Sequence, residues 1–128
     1  YTYSFVVLFL LFTDILTKWL VTVFGFSYSR NYGLFFGFIG NRGSLSLIFG
    51  AISILAVVIF LRKRDTFRVW SGAFFLSGAL GNYFTKLFLG YVIDFLPGGF
   101  MGNFFNLSDI YLFLGLIGIV ISEMRRAT

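Results

Sequence analysis

Ser77-Gly78-Ala79-Leu80-Gly81-Asn82, followed by Thr85-Lys86 and, past a glycine, by Val92-Ile93-Asp94-Phe95, is the stretch on which the reading of this chain turns. It sets small residues, an amide, a cation and a carboxylate at one end of an apolar segment. Such groups are costly in hydrocarbon, and by default they mark function. A second cluster, Phe105-Asn106-Leu107-Ser108-Asp109, opens the next apolar run and brings another carboxylate close to the first in sequence. Asp94 and Asp109 thus flank one membrane surface.

Around these clusters the apolar residues come in blocks near twenty long, about the helix length that crosses a bilayer core. At 59% hydrophobic and 12% charged, the 128 residues are too apolar for an ordinary soluble domain. Blocks at about 2–24, 45–61, 69–89 and 107–121 predict a single integral membrane domain over residues 1–128. The expected fold class is an all-α membrane protein, with four transmembrane helices and a small outer-side strand or loop cradle. The twenty phenylalanines fit aromatic packing in a bundle, and AT-rich coding DNA would enrich them equally. The absence of cysteine and histidine excludes disulfides, thiol nucleophiles, imidazole metal sites and a serine-histidine triad. No metal or other cofactor is expected; carboxylates, lysine and hydroxyls remain for chemistry. The net charge of +5 comes from cations at the ends of apolar blocks, which argues for orientation in a membrane and against nucleic acid.

The first block is too long for a cleaved leader and lacks its small-residue cleavage site, so it reads as a permanent span. It carries Asp14, Thr17 and Lys18. Asp14 and Lys18 are i, i+4 neighbours that share a helix face and partly neutralise each other, either to fix helix packing or to serve a site. From Gly25 to Ser44 the run is broken by glycines and polar residues, including Arg30-Asn31-Tyr32-Gly33, and predicts a short strand pair or a loop on the bilayer surface. Asn31 suits a turn as well as a site. The second block ends in Arg62-Lys63-Arg64-Asp65-Thr66-Phe67-Arg68, a cationic loop of the kind that stays in the cytoplasm. That places both termini inside, with Arg125-Arg126 conforming, and the Gly25–Ser44 and Gly90–Asn106 segments outside. In the third block Ser77, Gly78, Gly81 and Asn82 permit close helix approach, and Lys86 is expected to snorkel toward water. The segment from Gly90 to Asn106, with Pro97-Gly98-Gly99, must be irregular. Asp109 suits a helix N-cap when taken alone. Yet Asp14, Lys18, Asn31, Asn82, Lys86, Asp94 and Asp109 all map to the outer half of the membrane, which one convergent polar site explains.

Two neighbouring carboxylates cannot both ionise easily, so one keeps its proton and the pair supplies a base and an acid together. That is the equipment of an aspartic protease. The ionised member takes a proton from water while the protonated one polarises the scissile carbonyl.

The series Asp14-Ile15-Leu16-Thr17-Lys18-Trp19, Arg30-Asn31-Tyr32-Gly33, Gly78-Ala79-Leu80-Gly81-Asn82, Val92-Ile93-Asp94-Phe95 and Phe105-Asn106-Leu107-Ser108-Asp109 resembles signal peptidase II, the lipoprotein signal peptidase family of A8-type aspartyl endopeptidases. The resemblance implies a multi-pass enzyme of the bacterial inner membrane, with four spans and an active site facing outside. It also implies removal of signal peptides from prolipoproteins just before the lipid-modified, diacylglyceryl-bearing cysteine. By motif, Asp94 and Asp109 match the family's catalytic pair. Asn31, Asn82 and Asn106 match amides lining its site, and Asp14 a supporting carboxylate, with Lys18 and Lys86 as further support. The chain departs from the family where aspartate and arginine usually follow the Gly-Asn pair. Thr85 and Lys86 stand there, and lysine lacks the planar fork of arginine. The stretch between Lys18 and Asn31 is also shorter than the family's.

The partners expected are thus prolipoprotein substrates and membrane lipids. Two other readings compete. A non-cutting paralogue that binds lipoproteins or serves a membrane complex is favoured by Thr85, Lys86 and the short loop, and opposed by the retained aspartates. A proton-conducting or transporter subunit would place its acids through the depth of the membrane, whereas these cluster on one side.

Overall fold

The structure, a computed structural model, describes residues 2–31, 48, 50–55, 58, 66–99 and 102–126. Helix α1 (Thr2–Val23) is followed by strand β1 (Ser29–Asn31), helix α2 (Thr66–Leu89), strand β2 (Val92–Asp94) and helix α3 (Leu107–Arg126). Residues 48, 50–55 and 58 are also helical, within the second predicted block. The rest of that block, Arg42, segment 32–44 and the cations Arg62 to Arg64 lie outside the described residues.

Two of the helices end by the same device. After α1, Gly25 takes φ of +74° and the Phe26 amide bonds the Val21 carbonyl at 3.1 Å, the six-to-one bond of a Schellman cap. After α2, Gly90 takes φ of +84° and its amide bonds the Lys86 carbonyl at 2.8 Å. Glycine alone adopts these angles without a Cβ penalty, so each helix stops where the chain must turn into the strands. Those strands pair with each other, antiparallel, in the register Ser29↔Asp94, Arg30↔Ile93, Asn31↔Val92. One strand of the cradle expected within Gly25–Ser44 is thus present as β1, and it pairs with the distant β2; the rest of that segment, 32–44, lies outside the described residues. Beyond β2 the chain folds back through a Leu96↔Phe105 bridge, which returns Asn106 beside Asp94.

Helices α2 and α3 pack closely because glycines face backbone or small side chains on both sides. A Cβ on Gly78 would strike the Ser108 carbonyl, one on Gly115 the Phe75 amide, and one on Gly118 the Ser71 hydroxyl. Among the described residues a buried apolar cluster is made by Val7, Ala73 and Leu76, with Ile54, Phe75 and Leu80 against it. In the same described set the largest fully buried side chains are polar, namely Asp14, Ser77, Asn106 and Ser108, while Phe5, Leu8, Phe9, Phe12, Phe113 and Leu114 lie exposed. That inversion of the soluble pattern fits a hydrocarbon surround.

Among the described residues, two helices are long and apolar enough to cross a membrane, Tyr3–Val23 with mean hydropathy 2.0 and Leu107–Arg125 with 1.7. Helix α2 has the length, but serines, glycines, Asn82, Thr85 and Lys86 dilute its apolar content. It begins at Thr66 rather than at 69, and α3 runs to Arg126 rather than to 121. The first extension corrects the reading of Arg68 as part of a loop: it is a buried helical residue paired with Glu123 of α3.

Candidate active site

The site is assembled around Asn106. It stands just before α3 and is its N-cap: its Oδ1 accepts from the Asp109 amide at 2.9 Å, and its own amide donates back to Asp109 Oδ2 at 3.1 Å. This is a reciprocal capping box, and it corrects the expectation that Asp109 itself is the cap. Asp109 holds the third position of the helix, where its carboxylate returns the bond.

The Asn106 side-chain amide reaches the other carboxylate. Its Nδ2 donates to Asp94 Oδ1 at 2.8 Å, within reach also of the Ile93 carbonyl at 3.2 Å and Asn82 Oδ1 at 3.1 Å. One residue therefore ties Asp94 at the end of β2 to Asp109 on α3. Asn31, at the end of β1, donates to Asp94 Oδ2 at 3.1 Å, and Asn82, on α2, donates to Asp109 Oδ1 at 3.0 Å. Each carboxylate thus accepts on both oxygens.

Beneath this layer lies a cation. The Lys18 ammonium sits 2.7 Å from Asp14 Oδ2, 3.1 Å from Asn82 Oδ1, 3.1 Å from Thr85 Oγ1 and 3.3 Å from the Gly81 carbonyl. Its three protons serve four acceptors, so one is shared. Asp14 spends its other oxygen on the Ser108 amide at 2.9 Å, one of the α3 amides that has no intrahelical partner. Asp14 and Lys18 therefore tie α1 to α3 and to Asn82 on α2.

Burial pushes the Asp94 carboxyl up from its ordinary 3.8 to about 7. The Asp109 charge pushes the same way, and the Asn31 amide, the Lys18 ammonium and the Asn106 amide pull it back. A carboxyl poised there can hold a proton near neutral pH and release it within one reaction cycle.

The structure thus brings together Asp14, Lys18, Asn31, Asn82, Asp94, Asn106 and Asp109. Lys86 differs from the expectation of a snorkelling side chain: it is buried at 7% exposure, and the bonds above run through Lys18. Thr85, read as a lost carboxylate, has a role missed in the sequence. Its hydroxyl donates to the Gly81 carbonyl at 2.6 Å while accepting from Lys18. The signal for that was its position four residues after Gly81, the spacing of a threonine bonded back to its own helix. Among the described residues no group of acidic side chains is arranged to hold a metal.

The profile of the family described as signal peptidase (SPase) II matches residues 6–125. The lipoprotein signal peptidase of Psychromonas ingrahamii is 38% identical over 104 residues, which cover 73% of this chain and 60% of that protein. Those of Buchnera aphidicola and Streptococcus agalactiae serotype Ia are 33% and 32% identical, over 78% and 82% of this chain and 68% and 71% of theirs. The chain thus spans about 60% of the length of the Psychromonas relative. A solved structure described as a bacterial membrane enzyme superposes with a TM-score of 0.88 at 24% identity, covering 99% of this chain and 90% of that one.

Proposed function

The chain belongs to the signal peptidase II family, and on that premise we propose that it is a membrane aspartyl endopeptidase that removes signal peptides from prolipoproteins. The observation that carries this reading is the single asparagine, Asn106, bonded to both Asp94 and Asp109. Two carboxylates held by one rigid bridge at a helix terminus have the fixed spacing that shared-proton chemistry needs.

The pair carries one proton between its members near neutral pH. The two carboxyls titrate as one coupled unit; Asp94, raised by burial, is assigned the proton, and Asp109 the role of base. Asp109 takes a proton from the attacking water as oxygen bonds to the scissile carbonyl carbon, and Asp94 donates to the carbonyl oxygen. On collapse the carbon–nitrogen bond breaks, the leaving nitrogen takes the proton held by Asp109, and a hydroxyl of the tetrahedral intermediate returns a proton to Asp94, so that water has been added across the amide and the pair is restored. The substrate's cleavage point precedes its diacylglyceryl-modified cysteine, as in the family.

The same reading gives the placement. The chain is a multi-pass protein of the bacterial inner membrane with four spans, both termini cytoplasmic and the dyad at the outer surface. Support comes from the cations near Arg62–Arg68 and Arg125-Arg126, and from the polar site at the opposite end of α2 and α3.

The test is release of signal peptide from a lipidated prolipoprotein by the purified chain. Asp94→Asn and Asp109→Asn are each expected to lose about a hundredfold to ten-thousandfold in rate, with the double variant scarcely worse. Full activity in either single variant would sink the dyad; no cleavage by the folded parent chain would sink the peptidase reading.

A further inference from the structure

The strand pair has two faces, because successive side chains on a strand point to opposite sides. Asn31 and Asp94 bond each other on one face. Arg30 and Ile93, directly paired in the register, share the other face, and Tyr91 stands two residues before Ile93. Behind that second face lies a groove of about 590 Å³ between the ends of α1 and α2, lined by Ile15, Trp19, Phe84, Phe88, Tyr91 and Ile93. Lys18 and Thr85 form its inner wall, but the Lys18 ammonium is already committed to Asp14 and Asn82. The groove is therefore apolar in what it offers a ligand, and two of its lining residues, Trp19 and Phe88, are 58% and 80% exposed.

Its upper rim is not apolar. The Arg30 guanidinium stacks over the Tyr91 ring, 4.8 Å from the centroid. Trp19 and Tyr91 are the aromatic types that settle at the membrane–water boundary. A guanidinium held above an apolar groove at that depth matches one chemistry, a phosphate joined to an acyl chain. We propose that this groove is a binding site for an anionic glycerophospholipid, with one acyl chain between α1 and α2 and the phosphate at Arg30. Ile93 lines the groove and Asp94, the next residue of β2, faces the opposite side of the strand, and binding in the groove is measured without any cleavage.

The chain reports on this site through its own tryptophans, since Trp19 lines the groove and Trp70, the other one, stands in the second turn of α2. The full chain with Trp70→Phe is placed in phosphatidylcholine vesicles containing a minority of phosphatidylglycerol or phosphatidylcholine with dibrominated acyl chains, which quench tryptophan on contact. Trp19 is expected to show about fivefold preference for the phosphatidylglycerol, the worth of one arginine at a lipid phosphate. Arg30→Gln should abolish the preference and Arg30→Lys keep most of it. Trp19→Phe, which leaves only Trp70, should show none. Equal quenching by the two lipids, a preference that survives Arg30→Gln, or the same preference at Trp70 would each overturn the proposal. So would quenching of Trp19 by dibrominated diacylglycerol as strong as by phosphatidylglycerol, which would assign the groove to a neutral diacylglyceryl group.

Discussion

At the scale of single residues, the site is a case of polar groups answering one another. Asp94, Asp109, Asn82 and Asn106 were recognisable as a set from their motifs, but the motifs do not say which group bonds which. That Asn106 is both the helix cap and the bridge between carboxylates follows only once β2 and α3 meet. The raised carboxyl of Asp94 has a consequence for stability. Between 3.8 and about 7 the folded chain keeps a proton there that the unfolded chain has released. Stability therefore falls as pH rises through that window and is level on either side of it. Asp94→Asn removes the slope, so its melting temperature relative to the parent should be more favourable at pH 8 than at pH 4, by the equivalent of roughly 4 kcal/mol at most. Thermal unfolding of both proteins in detergent at the two pH values checks this; an equal difference at both would mean that Asp94 is already ionised. Cleavage by the parent should likewise decline above about pH 7 as Asp94 loses its proton.

Among elements, the contact between α2 and α3 sets how closely Asn82 and Asp109 approach. Its glycines were read in the sequence as permitting close packing on α2 alone; the structure adds Gly115 and Gly118 from α3, each facing α2. Gly115→Ala would drive a methyl into the backbone of Phe75, 2.7 Å from its Cα, and backbone yields little. A cost of about 1–3 kcal/mol is expected, with loss of activity through a shifted Asp109. Gly90→Ala meets no atom within 4 Å and suffers only its φ of +84°, a strain of roughly 1–2 kcal/mol confined to the turn into β2. Melting temperature and cleavage rate measured together separate the two. Equal activity per folded molecule in Gly115→Ala and the parent would show that the helix contact does not position the dyad.

For the whole molecule, charge is sorted by end. Arg68 pairs with Glu123, and Arg125 stacks on Phe67, where α2 begins and α3 finishes. The dyad lies where α2 finishes and α3 begins. A chain without cysteine makes this testable through single introduced thiols. In intact cells an impermeant reagent added outside should label Phe104→Cys, in the segment before α3, and spare Met124→Cys near its end. Labelling of Met124→Cys alone would invert the orientation. Among the described residues the scarcity of buried apolar side chains follows from the same setting: where the surround is hydrocarbon, the interior need not be the apolar part.

The sequence by itself determined the membrane class, the positions of α1 and α3, and the identity of the polar cluster, because block length, apolar content and costly intramembrane charges are local properties. It left open the partner of β1, the cap of α3, the bonds of Lys18 and Thr85, and the burial of Lys86. Those were decided by the tertiary structure. A hydrogen bond between residues such as Asn31 and Asp94 or Ser108 and Asp14 depends on where two distant backbones come to rest, and nothing in either stretch alone records that distance.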